Sequence, residues 1–211
     1  MQMRAADATT LFRTLLIAVV VYLILIKFDP ILTVLIFVIA TLLDGIDGYL
    51  AVWQESKGKV TLSMYIKSFR DKRLKKTVKS YKENISKHAK FGPRMDIAGD
   101  RFAEYAMWIV FTYTGIIPIA ILLAVVLRHS FADAFMGNKG TSSKMKSKFT
   151  RIVYTSNLSR AGINIAKIVT FSYLILMYVA AYPAIWGYAL TGILFTFIML
   201  RGSAEIYENI K

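Results

Sequence analysis

Apolar and polar positions are sorted along this chain into long blocks. Six apolar stretches stand out: Leu11–Ile26, Ile31–Val52, Ile97–Thr114, Ile116–Leu127, Ile163–Ala180 and Ala184–Met199. Most approach the ~20 residues a helix needs to cross the hydrocarbon of a bilayer. The fourth is short and has to borrow flanking residues. Asp29-Pro30, Thr114-Gly115 and Tyr182-Pro183 separate neighbouring stretches with the tight breaks that Gly and Pro provide. The other two connections, around 53–95 and 128–160, are long. No small-residue cleavage site follows Ile26, so the first stretch is expected to remain as a span. The pattern predicts an all-α polytopic membrane protein with six transmembrane helices, a single membrane domain over residues 1–211.

The first long connection has a period of its own. Leu62, Ile66, Phe69, Leu74, Val78, Tyr81, Ile85 and Ala89 recur at helical spacing, and Lys67, Arg70, Lys72, Arg73, Lys75, Lys76, Lys79, Lys82 and Lys87 run between them. This predicts a basic amphipathic helix over 62–89, inside a basic cytoplasmic insertion at 53–91 between spans 2 and 3. Such a helix beside a membrane is expected to lie on anionic membrane lipids. The plainer alternative is a charged hairpin packed on its own neighbours. No nucleic-acid partner is expected for a basic run inside a polytopic membrane protein.

Composition sharpens the assignment. The 211 residues are 56% hydrophobic with a mean hydropathy of +0.49, yet 27 Lys+Arg face 13 Asp+Glu, a net charge of +14. A soluble domain that apolar would expose too much hydrocarbon, and a basic disordered chain would not be apolar. The absence of Cys excludes disulfides, thiolate metal sites and Cys nucleophiles. Residues 52–95 hold 13 Lys+Arg and 128–160 hold 7. Arg4, Arg13, Arg201 and Lys211 lie near the termini, whereas Lys27 alone lies in a connection on the opposite side of a six-span arrangement. The positive-inside rule then puts both termini and both long loops in the cytoplasm, of a cell or inner membrane.

Candidate chemistry sits where spans meet that side. The second span ends in Asp44-Gly45-Ile46-Asp47-Gly48-Tyr49-Leu50-Ala51, with two carboxylates at i and i+3 on one helix face. The third opens with Gly92-Pro93-Arg94-Met95-Asp96-Ile97-Ala98-Gly99-Asp100, a second pair at i and i+4. Four Asp thus converge at one membrane depth, and carboxylates there are expected to face inward and bind something positive. An all-oxygen acidic site without His or Cys suits Mg²⁺ or Mn²⁺, and two ions would balance four carboxylates. The competing reading is an ion-pair network with Arg101, Lys167 or Arg160, the glycines merely letting helices pack closely.

The run D-x-x-D-G-x-x-A followed by G-x-x-x-D-x-x-x-D resembles the signature of the CDP-alcohol phosphotransferases. Asp44, Asp47, Gly48, Ala51, Gly92, Asp96 and Asp100 carry it. Thr10-Leu11-Phe12-Arg13 is similar to the N-terminus of the phosphatidylglycerophosphate synthase branch, and Gly162–Phe171, with Lys167 and Thr170, resembles its fifth helix. Two positions depart from the pattern. Val52 stands where the family has Arg, and residues 52–91 fill what is ordinarily a much shorter spacer. Lys57, Lys59 or Arg94 could substitute for the missing cation.

The resemblance implies a six-helix membrane enzyme that moves a phosphatidyl-type group from a CDP-linked lipid to the hydroxyl of a small polar alcohol, releasing CMP. It implies Asp44, Asp47 and Asp96 as metal ligands, with Asp100 as a further ligand or the general base. Gly45, Gly48, Ala51, Gly92 and Arg94 would border the CDP. Arg101, Arg128, Arg151, Arg160 and Lys167 could form an anion pocket for a phosphorylated acceptor. Glycerol 3-phosphate is favoured on branch resemblance. Inositol phosphate or serine as acceptor stays open, as do an ether-lipid donor, a CDP-aminoalcohol enzyme using diacylglycerol as acceptor, and a non-catalytic lipid-binding scaffold. Small and polar residues on the third and fourth spans could support a homodimer.

Overall fold

The computed structural model describes residues 5–69, 71–88, 92–136, 153 and 156–210, and those residues hold helices and turns with no strand. In chain order the helices are α1 (Ala5–Leu25), α2 (Pro30–Glu55), α3 (Leu62–Lys67), α4 (Lys72–His88), α5 (Gly92–Tyr113), α6 (Ile119–Met136), α7 (Asn157–Ala180) and α8 (Ala184–Ile210).

Local chemistry sets the boundaries. Past α1, Lys27 turns left-handed at φ 51°, and the Asp29 carboxylate accepts from the Leu32 N–H at 2.8 Å, capping α2 just ahead of Pro30. Lys57 (φ 52°) and Gly58 (φ 80°) reverse the chain after α2, where Ser56 Oγ accepts from Val60 N–H. Thr61 caps α3 through Met64 N–H. Ser156 caps α7 through Ser159 N–H, and the left-handed Ala181 ends it.

The helix expected over 62–89 is in fact two. Asp71 interrupts it, its carboxylate accepting from Arg73 N–H at 2.7 Å and Leu74 N–H at 3.4 Å, so α4 starts afresh behind its own N-cap. Nor does the apolar face of α4 lie open. Val78 is buried with Val52, Val60 and Tyr65, and Tyr81 and Ile85 pack against that cluster. Within the described residues of the insertion, the apolar face of α4 is thus packed on its own neighbours.

The chain divides into two compact units, one of residues 1–22 and 35–106, the other of 23–34 and 107–211. In the first, Ile17, Val20, Phe37 and Ala40 are buried on α1 and α2. In the second, Phe171 of α7 meets Trp108 edge-on at 5.3 Å and stacks on Phe111 at 6.2 Å. Gly187 lets α8 approach Met177 and Leu174 of α7 closely.

Among the described residues, four helices are long and apolar enough to cross a bilayer: Ala6–Leu25, Pro30–Glu55, Ser159–Ala180 and Ala184–Tyr207. Large apolar side chains such as Leu15, Ile31, Ile185 and Ile193 stand outward on them. A surface of that kind supports an integral membrane protein. Helices α5 and α6 occupy the places of the expected third and fourth spans. Asp96, Asp100 and Arg101 crowd the first half of α5, with Glu104 just past its middle, and α6 has 18 residues with Arg128 and Asp133 among them.

Candidate active site

Three helices of the first unit bring the site together. Near its C-terminal end, α2 carries Asp44 and Asp47 one turn apart, while the first turns of α5 carry Asp96 and Asp100. Helix α1 adds Arg13, buried to 3% exposure among them. Its Nη1 donates to Asp44 Oδ1 and, at 2.8 Å, to Asp100 Oδ1, and Nη2 lies 3.8 Å from Asp96 Oδ1.

Gly99 makes this approach geometrically feasible. A Cβ there would lie 2.8 Å from Thr10 Cγ2 and 3.0 Å from Arg13 Nη2. Both threonines on this face of α1 satisfy their hydroxyls within the helix, Thr10 on the Ala6 carbonyl and Thr14 on the Thr10 carbonyl. Helix α5 can therefore close on α1 until the Arg13 guanidinium reaches carboxylates from two other helices.

One carboxylate oxygen from each of Asp44, Asp96 and Asp100 lies within 4.8 Å of the others. Oxygens sharing one octahedral Mg²⁺ lie up to about 4.2 Å apart, and a two-metal site spreads its ligands further. The donor set is hard, acidic and free of nitrogen or sulfur, and its oxygens already hold a cation in Arg13. These residues fit a divalent ion. All three acids keep part of their surface open, Asp100 the most at 51%.

They form one side of a cleft of about 510 Å³ whose remaining lining is Gly45 and Gly48 of α2, and Leu62, Tyr65, Ile66 and Phe69. Gly45 is open, with nothing within 4 Å of its Cβ direction, whereas a Cβ on Gly48 would lie 3.1 Å from the Tyr65 hydroxyl. Leu62, Tyr65 and Ile66 project from α3, and Phe69 follows just beyond it, all in helical register on one face.

The other expected site residues fall in several places. Asp47 lies on α2 and Gly92 and Arg94 on the first turn of α5, with side-chain environments outside the described residues. Ala51 is half-buried at the foot of α2, and Arg101 half-buried on α5. Arg151 lies outside the described residues. Arg160, exposed, and Lys167, half-buried, belong to the second unit. Arg128 is there too. Its Nη2 donates to Glu205 at 3.1 Å and its Nη1 meets His129 Nδ1 at 2.7 Å. This buried ion pair with Glu205 lies across the face opened by Gly202.

Arg13, read from the sequence as a cation marking the cytoplasmic side, is the site residue that sequence reasoning missed. A signal existed: Thr10, Arg13 and Thr14 share one face of an apolar helix, and a charge on such a face needs a partner inside the protein. Among the described contacts, Arg13 is a cation that meets Asp44 and Asp100.

The family described as CDP-alcohol phosphatidyltransferase matches residues 3–59. The match includes Arg13, Asp44, Gly45, Asp47, Gly48 and Ala51 and stops just ahead of α3. No curated protein and no solved structure matches the chain. The match falls on the very helices that supply Arg13 and Asp44 to the cleft, so this part of the chain is similar to the CDP-alcohol phosphatidyltransferases, a family of transferases of substituted phosphate groups.

Proposed function

We propose that this protein transfers a phosphatidyl-type group from a CDP-linked lipid to the hydroxyl of glycerol 3-phosphate, releasing CMP, in phospholipid biosynthesis. The family moves a phosphatidyl group from a CDP-alcohol to an alcohol. The observation that carries the reading here is the meeting of Asp44, Asp96 and Asp100 within 4.8 Å on the wall of an open cleft.

Asp44, Asp47, Asp96 and Asp100 would hold Mg²⁺ or Mn²⁺, which when bound supplies charge neutralisation for a diphosphate and its leaving group. Asp100, the most open of the acids, receives the proton of the acceptor hydroxyl. The hydroxyl oxygen bonds to the phosphorus that bears the lipid, the bond from that phosphorus to the CMP oxygen breaks, and CMP leaves with the electron pair. Gly45, without a side chain and open to the cleft, leaves the α2 backbone accessible to the nucleotide. Six spans with both termini and the cleft on the cytoplasmic side would let lipid tails stay in the bilayer while the CDP head and the acceptor arrive from water. The cation count of the two long loops supports this orientation.

The test is CMP release by the full chain in detergent with Mg²⁺ and CDP-diacylglycerol, across glycerol 3-phosphate, inositol phosphate and serine, beside Asp100→Asn. Release with glycerol 3-phosphate, reduced at least 10²-fold in Asp100→Asn, is expected. Release indifferent to that substitution would remove Asp100 from the chemistry. Release only with CDP-choline or CDP-ethanolamine and diacylglycerol would replace the reading with a CDP-aminoalcohol enzyme.

A further inference from the structure

We propose that Tyr65 and Lys82, both from the 53–91 insertion, form a donor-recognition pair that grips the diphosphate of the CDP-linked substrate. The inference rests on the reading above and adds to it a subsite outside the matched residues 3–59.

The cleft presents a chemical problem. Its acidic side repels an anionic ligand, and Arg13, buried and shared between Asp44 and Asp100, already answers those acids. On the opposite side, Leu62, Ile66 and Phe69 are apolar. The Tyr65 hydroxyl is the polar side-chain group there. Lys82 Nζ donates to it at 3.1 Å and stands 5.2 Å from the ring centroid. With its oxygen accepting from an ammonium, the phenol keeps its own O–H to give, and it has no acceptor among the described residues. Lys82 likewise has no carboxylate partner among them. An ammonium-polarised O–H beside an uncompensated cation is an anion-binding device.

Its placement is fixed before any ligand arrives. Tyr65 is 7% exposed, clustered with Val52, Val60 and Val78 and held edge-on by Tyr49 and Phe69, each at 5.7 Å. The hydroxyl rests against Gly48, one turn beyond Asp44 on the same face of α2. That turn corresponds to about 6 Å along the axis, the reach of a diphosphate. One phosphate can therefore stand at the carboxylates while the other meets Tyr65. Val52, buried completely, offers no cation at the position where the resembling family has Arg; its place in the cluster instead anchors the helices that deliver Lys82.

The experiment uses the full chain in detergent with Mg²⁺ and two readouts, CDP binding by calorimetry and CMP release from CDP-diacylglycerol. Tyr65→Phe, which keeps the ring and its packing, and Lys82→Met are each expected to weaken CDP about tenfold and raise the donor KM equally, with kcat and the acceptor KM held. Lys82→Arg is expected to restore both values. Lys79→Met, on the exposed side of α4, should match wild type. Unchanged CDP affinity and donor KM in Tyr65→Phe, in a wild-type protein that releases CMP, would overturn this inference and leave the proposed function standing. A wild type that neither binds CDP nor releases CMP would overturn both. Should Lys82→Met fail to fold, Tyr65→Phe with an unaltered Tm settles the matter by the same two readouts.

Discussion

Replacing Gly99 by Ala adds one methyl group at the place where α5 meets α1. That methyl would lie 2.8 Å from Thr10 Cγ2 and 3.0 Å from Arg13 Nη2. Carbon atoms rest at about 3.5–4.0 Å, so roughly 1 Å has to be recovered. Neither neighbour yields easily. Thr10 is buried with its hydroxyl on the Ala6 carbonyl, and Arg13 is tied to two carboxylates. The helices must part instead. Overpacking of this kind costs about 1–3 kcal/mol, of which up to about 1 kcal/mol is offset by the better helix propensity of Ala. The kinetic effect should be larger, because misplacing reacting groups by about 1 Å can slow a reaction about 10²-fold. The assay pairs thermal unfolding in detergent with the rate of CMP release at saturating substrates. Gly192→Ala is the matched control, an α8 glycine with nothing within 4 Å of its Cβ direction. A Gly99→Ala protein with wild-type turnover would refute the claim that close approach of α1 and α5 aligns the carboxylates.

Arg13→Gln should destabilise the protein without Mg²⁺ and enlarge the upward shift in Tm that Mg²⁺ produces, since the acids then lack their internal cation; an equal shift in both proteins would count against it. Arg128→Met should lower stability by about 3–5 kcal/mol in urea or thermal unfolding, because it breaks a buried ion pair with Glu205, with Arg128→Met/Glu205→Leu recovering much of the loss. The acceptor KM of that double variant should equal wild type, and a raised value would return Arg128 to the acceptor pocket. Val52→Arg should undock the insertion, read as faster proteolysis between Ser68 and Asp71, because a guanidinium would enter the cluster of Val60, Tyr65 and Val78.

The helices and the acid pairs were readable because both are local. Block hydropathy finds α1, α2, α7 and α8, and Asp44, Asp96 and Asp100 follow from one-turn spacing at the ends of two apolar runs. What escaped depends on partners far along the chain. Arg13 meets residues 31 and 87 positions away, and Arg128 finds Glu205 77 positions on. No periodicity encodes such a pairing; it emerges only when small residues such as Gly99 and Gly202 bring helices close. The break between α3 and α4 was missed for a different reason. A regular apolar period across 62–89 outweighed Asp71, whose side chain caps α4 and announces a new start.

Val52 closes the end of α2 against α3 and α4, so the insertion is no detachable appendage. Trimming the loop would leave Val52 and Tyr49 facing water, and restoring a cation at position 52 would spoil the seat of the loop. Each change is tolerable only in the company of the other. A laboratory swap of this loop for a short one should therefore fail singly and succeed as a pair, which makes position 52 the hinge on which any redesign of this cleft turns.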